Sequence, residues 1–180
     1  MRKAFVTAAL LAAGTLAAGA AQKTTQVHPG KGGSPHVKSE WVIDGANIAI
    51  EYGRPSLKGR TEEQVMPPGK PWRTGADEAT TITTDKALKF GTVSLEPGTY
   101  TINTEPGGEW QLIFGKLGKP GQWGIPYNKA LEIGRTPMKA GKTVGDRFEQ
   151  LTISIDDTAS GGTLRIEWGT TSATIPFTVG

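Results

Sequence analysis

Short runs of alternating apolar and polar residues recur along the chain from residue 41 onward. In one run Ile48, Ile50 and Tyr52 share a face, and the run at 110–114 alternates in the same way. A period of two places apolar side chains on one face of a half-buried β-strand. The pattern therefore predicts strands, and no stretch has the spacing of a long amphipathic helix.

Turn residues separate the predicted strands. Asp44-Gly45 is typical of a two-residue hairpin, and Thr61 followed by Gln64 fits a capping box that would begin one short helical turn. Pro176 lies inside the last predicted strand and indicates an edge strand or a bulge, because proline cannot donate to a sheet. We expect a single all-β domain of about eight or nine strands, an antiparallel β-sandwich or jelly-roll-like barrel.

The first 38 residues differ from the rest. Residues 1–21 combine Arg2-Lys3, an apolar run and small residues at 18–21, which is typical of a secretory signal peptide. The sequence therefore predicts export to the periplasm or the extracellular space, with no membrane span in the mature protein. Residues 22–38 are polar and rich in glycine, which predicts a flexible tether before the β-sandwich domain at 39–180.

The net charge and the cysteine and histidine content exclude several classes of partner and catalytic mechanism. Residues 1–21 carry two of the 20 basic residues and none of the 17 acidic ones, so their removal leaves 18 against 17 and a net charge of +1. We therefore expect no nucleic-acid partner. The chain has no cysteine, and its two histidines, His28 and His36, fall in the predicted tether. Two histidines could bind a transition metal, but without nearby carboxylates in the sequence we expect both to be solvated, with no metal site and no cofactor. The absence of both residue types from the predicted folded domain excludes histidine- and cysteine-based catalysis there.

Two segments, 52–60 and 71–82, concentrate arginine, aromatic and acidic residues. Guanidinium groups bind carboxylates and phosphates through a planar fork of donors. The preferred hypothesis is a non-catalytic protein that binds a small polar, anionic or glycan ligand. The predicted ligand-binding residues are Arg54, Arg60, Trp72, Arg73, Asp77 and Glu78. In the alternative, Arg73 pairs with Asp77 or Glu78, and Arg54 pairs with Glu51, to fix the loops in place.

Two other functions stay open. A hydrolase could use Asp77 or Glu78 with a remote carboxylate such as Glu51 or Glu167, because adjacent residues of a strand point to opposite faces. No catalytic residue is assigned. A cell-envelope interaction module could instead use the edge near Pro176 or the long loop at 115–130.

Two further features could carry ligand chemistry. The long loop at 115–130 contains Trp123 and Tyr127, whose rings could stack on a ligand or cap the sheet. Asp156, Asp157 and Ser160 could hold calcium, but aspartate and serine are ordinary residues of a hairpin turn.

The segments Tyr52-Gly53-Arg54-Pro55 and Trp72-Arg73-Thr74-Gly75-Ala76-Asp77-Glu78-Ala79-Thr80 resemble the bacterial domain of unknown function 2911 family. The resemblance covers residues 38–180 and departs at Asp77, where the family usually has asparagine. It implies an exported, all-β and compact protein, and it brings no activity with it. An ionised aspartate only accepts hydrogen bonds, so an anion would bind less well beside it than beside asparagine.

Overall fold

A computed structural model describes residues 22–145 and 147–180, so the predicted signal peptide lies outside the described residues. The fold is all-β and antiparallel. Its strands are β1 Lys23–His28, β2 His36–Ile43, β3 Ala46–Gly53, β4 Thr81–Thr84, β5 Leu88–Phe90, β6 Val93–Leu95, β7 Gly98–Glu105, β8 Trp110–Lys116, β9 Glu132–Lys142, β10 Phe148–Thr158, β11 Gly161–Gly169 and β12 Thr171–Val179. One short helix, α1 Glu62–Val65, and 3-10 turns at Lys31–Gly33 and Lys129–Leu131 complete the described elements.

The strands form one curled sheet in the order β1-β2-β3-β4-β7-β8-β9-β12-β11-β10, and β5 pairs with both β12 and β6. Strand β9 connects the two halves: most of its length pairs with β8, and Lys139–Lys142 pair with β12. The prediction of an all-β antiparallel fold is confirmed, but the number of strands is twelve rather than eight or nine. One reason is that the predicted strand at 88–95 divides around Gly91, which has a φ of 53°.

The core lies between the two halves of the curled sheet. The predicted face of Ile48, Ile50 and Tyr52 is buried in it, and Phe90 from β5 packs against Phe114 and Phe177. Burial of alternate positions accounts for the period-two pattern of the sequence. The two-residue hairpin between β2 and β3 and the capping box of α1 are also confirmed.

The end of β3 and the segment that follows it cover the free edge of β10. The Tyr52 hydroxyl accepts the Ile153 N–H at 3.0 Å, and the Arg54 Nε donates to the Leu151 carbonyl at 3.1 Å. Ser56 also forms an isolated bridge with β10. This seam satisfies main-chain groups that an uncovered edge strand would present to solvent.

Two expectations from the sequence are wrong. Strand β12 is not an edge strand: β11 pairs with one side of it, while β9 and β5 pair with the other, and Pro176 falls between the residues paired to β9 and those paired to β5. A missing N–H is tolerated at such a gap. The predicted tether contains β1, which pairs with β2, because main-chain hydrogen bonds can order a polar segment that buries little.

Within residues 22–145 and 147–180, none of the helices has the length and apolar character that crossing a membrane requires.

Candidate functional site

The segment 74–77 forms a tight turn against the end of β3. Thr74 and Asp77 adopt left-handed backbone conformations, with φ of 55° and 62°. Gly53 packs so closely on this turn that a Cβ there would lie 2.3 Å from the Ala76 carbonyl oxygen. The Thr80 hydroxyl donates to the Thr74 carbonyl at 3.0 Å. The turn is therefore a rigid wall, and functional side chains lie on both sides of it.

Asp77 and Glu78 face opposite sides of this wall, although Asp77 lies in the turn and not in a strand. The Asp77 carboxylate is only 7% exposed and accepts the Lys31 N–H at 2.7 Å. Glu78 instead lies beside both histidines. The two carboxylates therefore cannot act together on one bond.

On the Asp77 side lies a groove of about 610 Å³, which we call the basic groove. Trp72 contributes to its lining and stacks on Trp168, with ring centroids 5.6 Å apart. Asp77 is the one carboxylate among its described lining residues. The cations that line it are Lys31, Lys58, Arg60 and Arg73.

The two arginines of the basic groove are anchored to main-chain carbonyls. Arg73 donates through Nε to the Gly75 carbonyl and through Nη1 to the Asp77 carbonyl, at 3.1 and 3.4 Å. Arg60 donates to the carbonyls of Leu57 and Ser56. Burial lowers the pKa of the Arg73 guanidinium, against the opposing effect of the Asp77 and Glu78 carboxylates. These bonds position the charges without neutralising them.

Among the described residues, none of the four cations of the basic groove lies within 4.0 Å of a carboxylate oxygen. The suggested pairing of Arg73 with the side chain of Asp77 or Glu78 is therefore absent. Arg73 and Lys31 instead lie over the ring of Trp123, at 5.8 and 5.2 Å from its centroid.

Arg54 does not join the other predicted residues. Its Nη2 donates to the Thr152 hydroxyl at 3.1 Å, in addition to the bond from its Nε to β10. Both bonds belong to the seam between β3 and β10. Arg54 therefore has the structural role that the sequence left open, but with a carbonyl and a hydroxyl as partners rather than Glu51.

On the Glu78 side, His28 and His36 lie opposite each other in the pairing of β1 with β2. Their rings stack with centroids 4.7 Å apart and planes 9° apart, and His36 is only 2% exposed. The expectation that both histidines are solvated on a flexible segment is wrong. The turn at 29–35 folds the chain back and pairs the two strands, which brings the rings together.

Glu78 and Glu51 flank the buried ring of His36. His36 Nδ1 lies 3.4 Å from Glu78 Oε2, and His36 Nε2 lies 3.3 Å from Glu51 Oε1. His28 Nε2 lies 3.7 Å from the same Glu78 oxygen. His36 Nδ1 and Glu78 Oε2 are both buried, and neither has a hydrogen-bond partner among the described residues. Unpaired buried polar atoms are rare, and a bound water or an ion can satisfy them.

This second cavity, which we call the histidine cleft, has a volume of about 440 Å³. The hydroxyl-bearing residues Thr81, Thr83 and Thr99 also line it. Sequence reasoning missed the cleft. The available signal was a pair of histidines around a segment rich in glycine and proline, because such a segment can form a turn that places them side by side.

The other candidates have structural roles. Asp156 and Asp157 lie in β10 rather than in the hairpin turn, and Asp156 pairs with Arg165 of β11. The Tyr127 hydroxyl donates to Glu132, and burial together with this bond raises the pKa of Tyr127 to about 12. Glu167 lies on β11 opposite Thr152, outside the described lining of the basic groove and of the histidine cleft.

Comparison with known proteins agrees with the resemblance found in the sequence. The family described as Protein of unknown function (DUF2911) matches residues 34–177. No curated protein and no solved structure shows significant similarity to the chain. The match includes β2 to β11, three of the four cations of the basic groove, and His36, Glu51 and Glu78 of the histidine cleft. Lys31 and His28 lie before it. The chain therefore belongs to the DUF2911 family.

Proposed function

We propose that this chain is an exported binding protein for a small anionic ligand, including an acidic glycan, which it holds in the basic groove. The two halves of the curled sheet would act as the layers of a sandwich, with the groove at one end. The observation that carries the proposal is the set of four groove cations, none of which contacts a carboxylate among the described residues. Clustered like charges repel, so a bound anion would stabilise them.

The donors of the groove suit an anion with planar oxygens. Arg60 and Arg73 each hydrogen-bond to carbonyls through Nε and one terminal nitrogen, which leaves the other terminal nitrogen without a hydrogen bond among the described residues. A carboxylate or phosphate could take that donor, while Lys31 and Lys58 add charge without a directional demand. Trp72, which stacks on the buried Trp168, adds an apolar surface to the groove for a sugar or a carbon chain.

The proposal is tested by calorimetric titration at low salt with inorganic phosphate, citrate and an oligogalacturonate. The test variant is Lys58→Gln combined with Arg60→Gln, since both side chains are exposed and can change without loss of core packing. A matched control, Lys89→Gln with Lys139→Gln, removes the same charge from exposed strand positions outside the groove lining.

We expect the groove variant to lose affinity about tenfold or more for the best probe, because a hydrogen bond to a charged group contributes about 1.5–3 kcal/mol. The control should keep the affinity of the wild type. Equal losses in both variants would show that only net charge matters, and the absence of binding by all three anions would contradict the proposal.

A second candidate, a carboxylate-based hydrolase, is favoured by the placement of Glu51 and Glu78 on either side of His36. Asp77 is less suited because its carboxylate accepts a main-chain N–H inside a buried turn. This hypothesis predicts that Glu78→Gln abolishes hydrolysis of glycans or esters, whereas Asp77→Asn retains it. The interaction-module hypothesis has its support in one loop, where Trp123 is 43% and Ile125 is 55% exposed.

A further inference from the structure

The histidine cleft brings together two imidazoles and a carboxylate whose ligand atoms all lie within 4.8 Å of one another. We propose that His28, His36 and Glu78 bind a divalent transition-metal ion of the zinc class, and that Glu51 orients His36 for this role. The site is separate from the basic groove, because the turn at 74–77 stands between them and Glu78 points away from the groove.

The distances agree with a metal centre. Zinc bonds of about 2.0–2.1 Å in tetrahedral geometry place neighbouring ligand atoms about 3.3 Å apart. Glu78 Oε2 lies 3.4 Å from His36 Nδ1 and 3.7 Å from His28 Nε2. These two carboxylate–imidazole separations are within a few tenths of an ångström of that value, and a movement of His28 would bring the two imidazole nitrogens to it. A bound ion would also satisfy His36 Nδ1 and Glu78 Oε2, the two buried atoms that lack hydrogen-bond partners among the described residues.

Glu51 determines which nitrogen of His36 can act as a ligand. A carboxylate 3.3 Å from Nε2 favours the tautomer that carries its proton there, so the lone pair of Nδ1 points toward Glu78. A carboxylate behind a ligating histidine is the usual arrangement at protein metal sites, where it fixes the ring and raises its basicity. Glu51 is thus a positioning residue and not a ligand.

His28 must move for the site to form. Its Nδ1 now accepts the Gly30 N–H at 3.1 Å, so the proton of a neutral ring lies on Nε2. Coordination through Nε2 transfers that proton to Nδ1 and releases Gly30. The ring must also tilt out of its stack, since lone pairs in two parallel planes do not meet at one point. With 39% of its side chain exposed, His28 has room for this movement.

The donor set selects the class of ion. Calcium and magnesium prefer shells made of oxygen atoms, whereas two imidazoles favour zinc and its neighbours in the first transition row. Three protein ligands leave one tetrahedral position, which faces the cleft lined by Thr81, Thr83 and Thr99. Water or an oxygen of a small molecule can complete the coordination there.

The test uses protein purified without a histidine tag and stripped of metal with a chelator. Zinc affinity is measured by competition with a chromophoric chelator, and bound cobalt is detected by its visible absorption. The variants are His28→Gln, Glu78→Gln and Glu51→Gln, and the matched control is Glu40→Gln on β2, a carboxylate outside the histidine cleft. His36 is left unchanged because its buried ring supports the fold, and each variant is first shown to melt like the wild type without metal.

We expect one zinc ion per chain. The NMR resonance of the Gly30 amide should shift on binding, because its hydrogen bond to His28 is released. His28→Gln and Glu78→Gln should weaken zinc binding about 100-fold or more, Glu51→Gln about 10- to 100-fold, and Glu40→Gln not at all. The proposal is overturned if the wild type binds no zinc. It is equally overturned if the control loses as much affinity as the cleft variants, or if zinc binding survives in both His28→Gln and Glu78→Gln.

Discussion

The basic groove and the histidine cleft lie on opposite sides of one turn, and adjacent residues, Asp77 and Glu78, face one each. The groove is built from four long, mostly exposed cations, and main-chain carbonyls anchor its two arginines. The cleft is built from shorter side chains that converge on the buried ring of His36. The first arrangement suits a diffuse anion that meets several donors, and the second suits a small ion that needs convergent lone pairs.

This difference shows what each site requires of the fold. Groove cations can reach a ligand over several ångströms, so the groove depends on charge and on the position of its walls. The cleft depends on the strand register that places His28 opposite His36, because a slip of one residue would turn one ring to the other face. The turn at 74–77 borders both sites, so a change in this turn should affect the basic groove and the histidine cleft together.

The largest effect on stability is expected from Gly53→Ala, because Gly53 packs directly against the turn at 74–77. The added Cβ would meet the Ala76 carbonyl at 2.3 Å, and Gly53 also pairs with His36 in the sheet. We expect a loss of about 3 kcal/mol in the free energy of unfolding, at the upper end of overpacking effects, with both anion and zinc binding weakened. Chemical denaturation measures the first effect and titration the second.

Gly108→Ala is the control for that change, since a Cβ there has no atom within 4 Å. It should leave stability and both binding activities nearly unaltered. If Gly53→Ala impaired only one of the two sites, the turn at 74–77 would not be a common wall, and the comparison between groove and cleft would lose its basis.

A smaller effect on stability is expected at α1, which contributes Gln64 and Val65 to the lining of the groove. The residue concerned is Glu62, at the start of α1. Burial raises the pKa of the Glu62 carboxyl, but hydrogen bonds from Thr170 and Thr171 outweigh it, and the net pKa is lowered. A carboxyl whose pKa is lowered by folding stabilises the fold above its ordinary pKa of 4.5, and this contribution is lost as the pH falls below that value.

Glu62→Gln should therefore destabilise the protein by about 2 kcal/mol at pH 7 and flatten the loss of stability below pH 4.5. Denaturation curves recorded from pH 7 to pH 3 test both expectations. Glu63→Gln, an exposed neighbour on the same helix, serves as the control. A pH profile for Glu62→Gln that matched the wild type would assign the acid sensitivity to other groups.

The smallest effect is expected from replacing Asp77 by asparagine. An asparagine side chain at this position would still accept the Lys31 N–H and tolerate the left-handed backbone, while the groove would lose its one described carboxylate. We expect Asp77→Asn to raise anion affinity about threefold through weaker repulsion, without a change in zinc affinity.

Asp77→Ala removes the acceptor and strains the backbone, so it should lower stability by about 2 kcal/mol. Isothermal titration measures the anion affinity of Asp77→Asn, and chemical denaturation measures the stability of Asp77→Ala. Weaker anion binding by Asp77→Asn would show that the carboxylate supports the ligand rather than repels it.

The sequence predicted more of the fold than of the two sites. The strands, the hairpin at Asp44-Gly45 and the capping box at Thr61 were accessible because each depends on neighbouring residues. Opposite directions for Asp77 and Glu78 were predicted from strand geometry, but in the structure they arise at a turn in which Asp77 has a left-handed backbone. The edge position of Pro176 was predicted wrongly, because the gap between β9 and β5 that accommodates it is formed by distant strands.

The sites were only partly accessible. Arg60, Trp72, Arg73 and Asp77 do line one groove, but Arg54 lies in the seam with β10, about a hundred residues away in sequence. Lys31 and Lys58 were missed because nothing local indicates that their segments meet. The histidine cleft was missed because polar β1 carries no hydrophobic pattern, although its main chain pairs with β2.

By itself the sequence determined an all-β chain, its hairpins and the resemblance that its family match confirms, since alternation, turn chemistry and short motifs act between near neighbours. The tertiary structure alone decided which charges meet. Register placed His28 against His36, and the curl of the sheet brought Arg54 to β10. Electrostatic and metal-binding chemistry depends on distances of a few ångströms between residues far apart in sequence, and only the folded chain sets those distances.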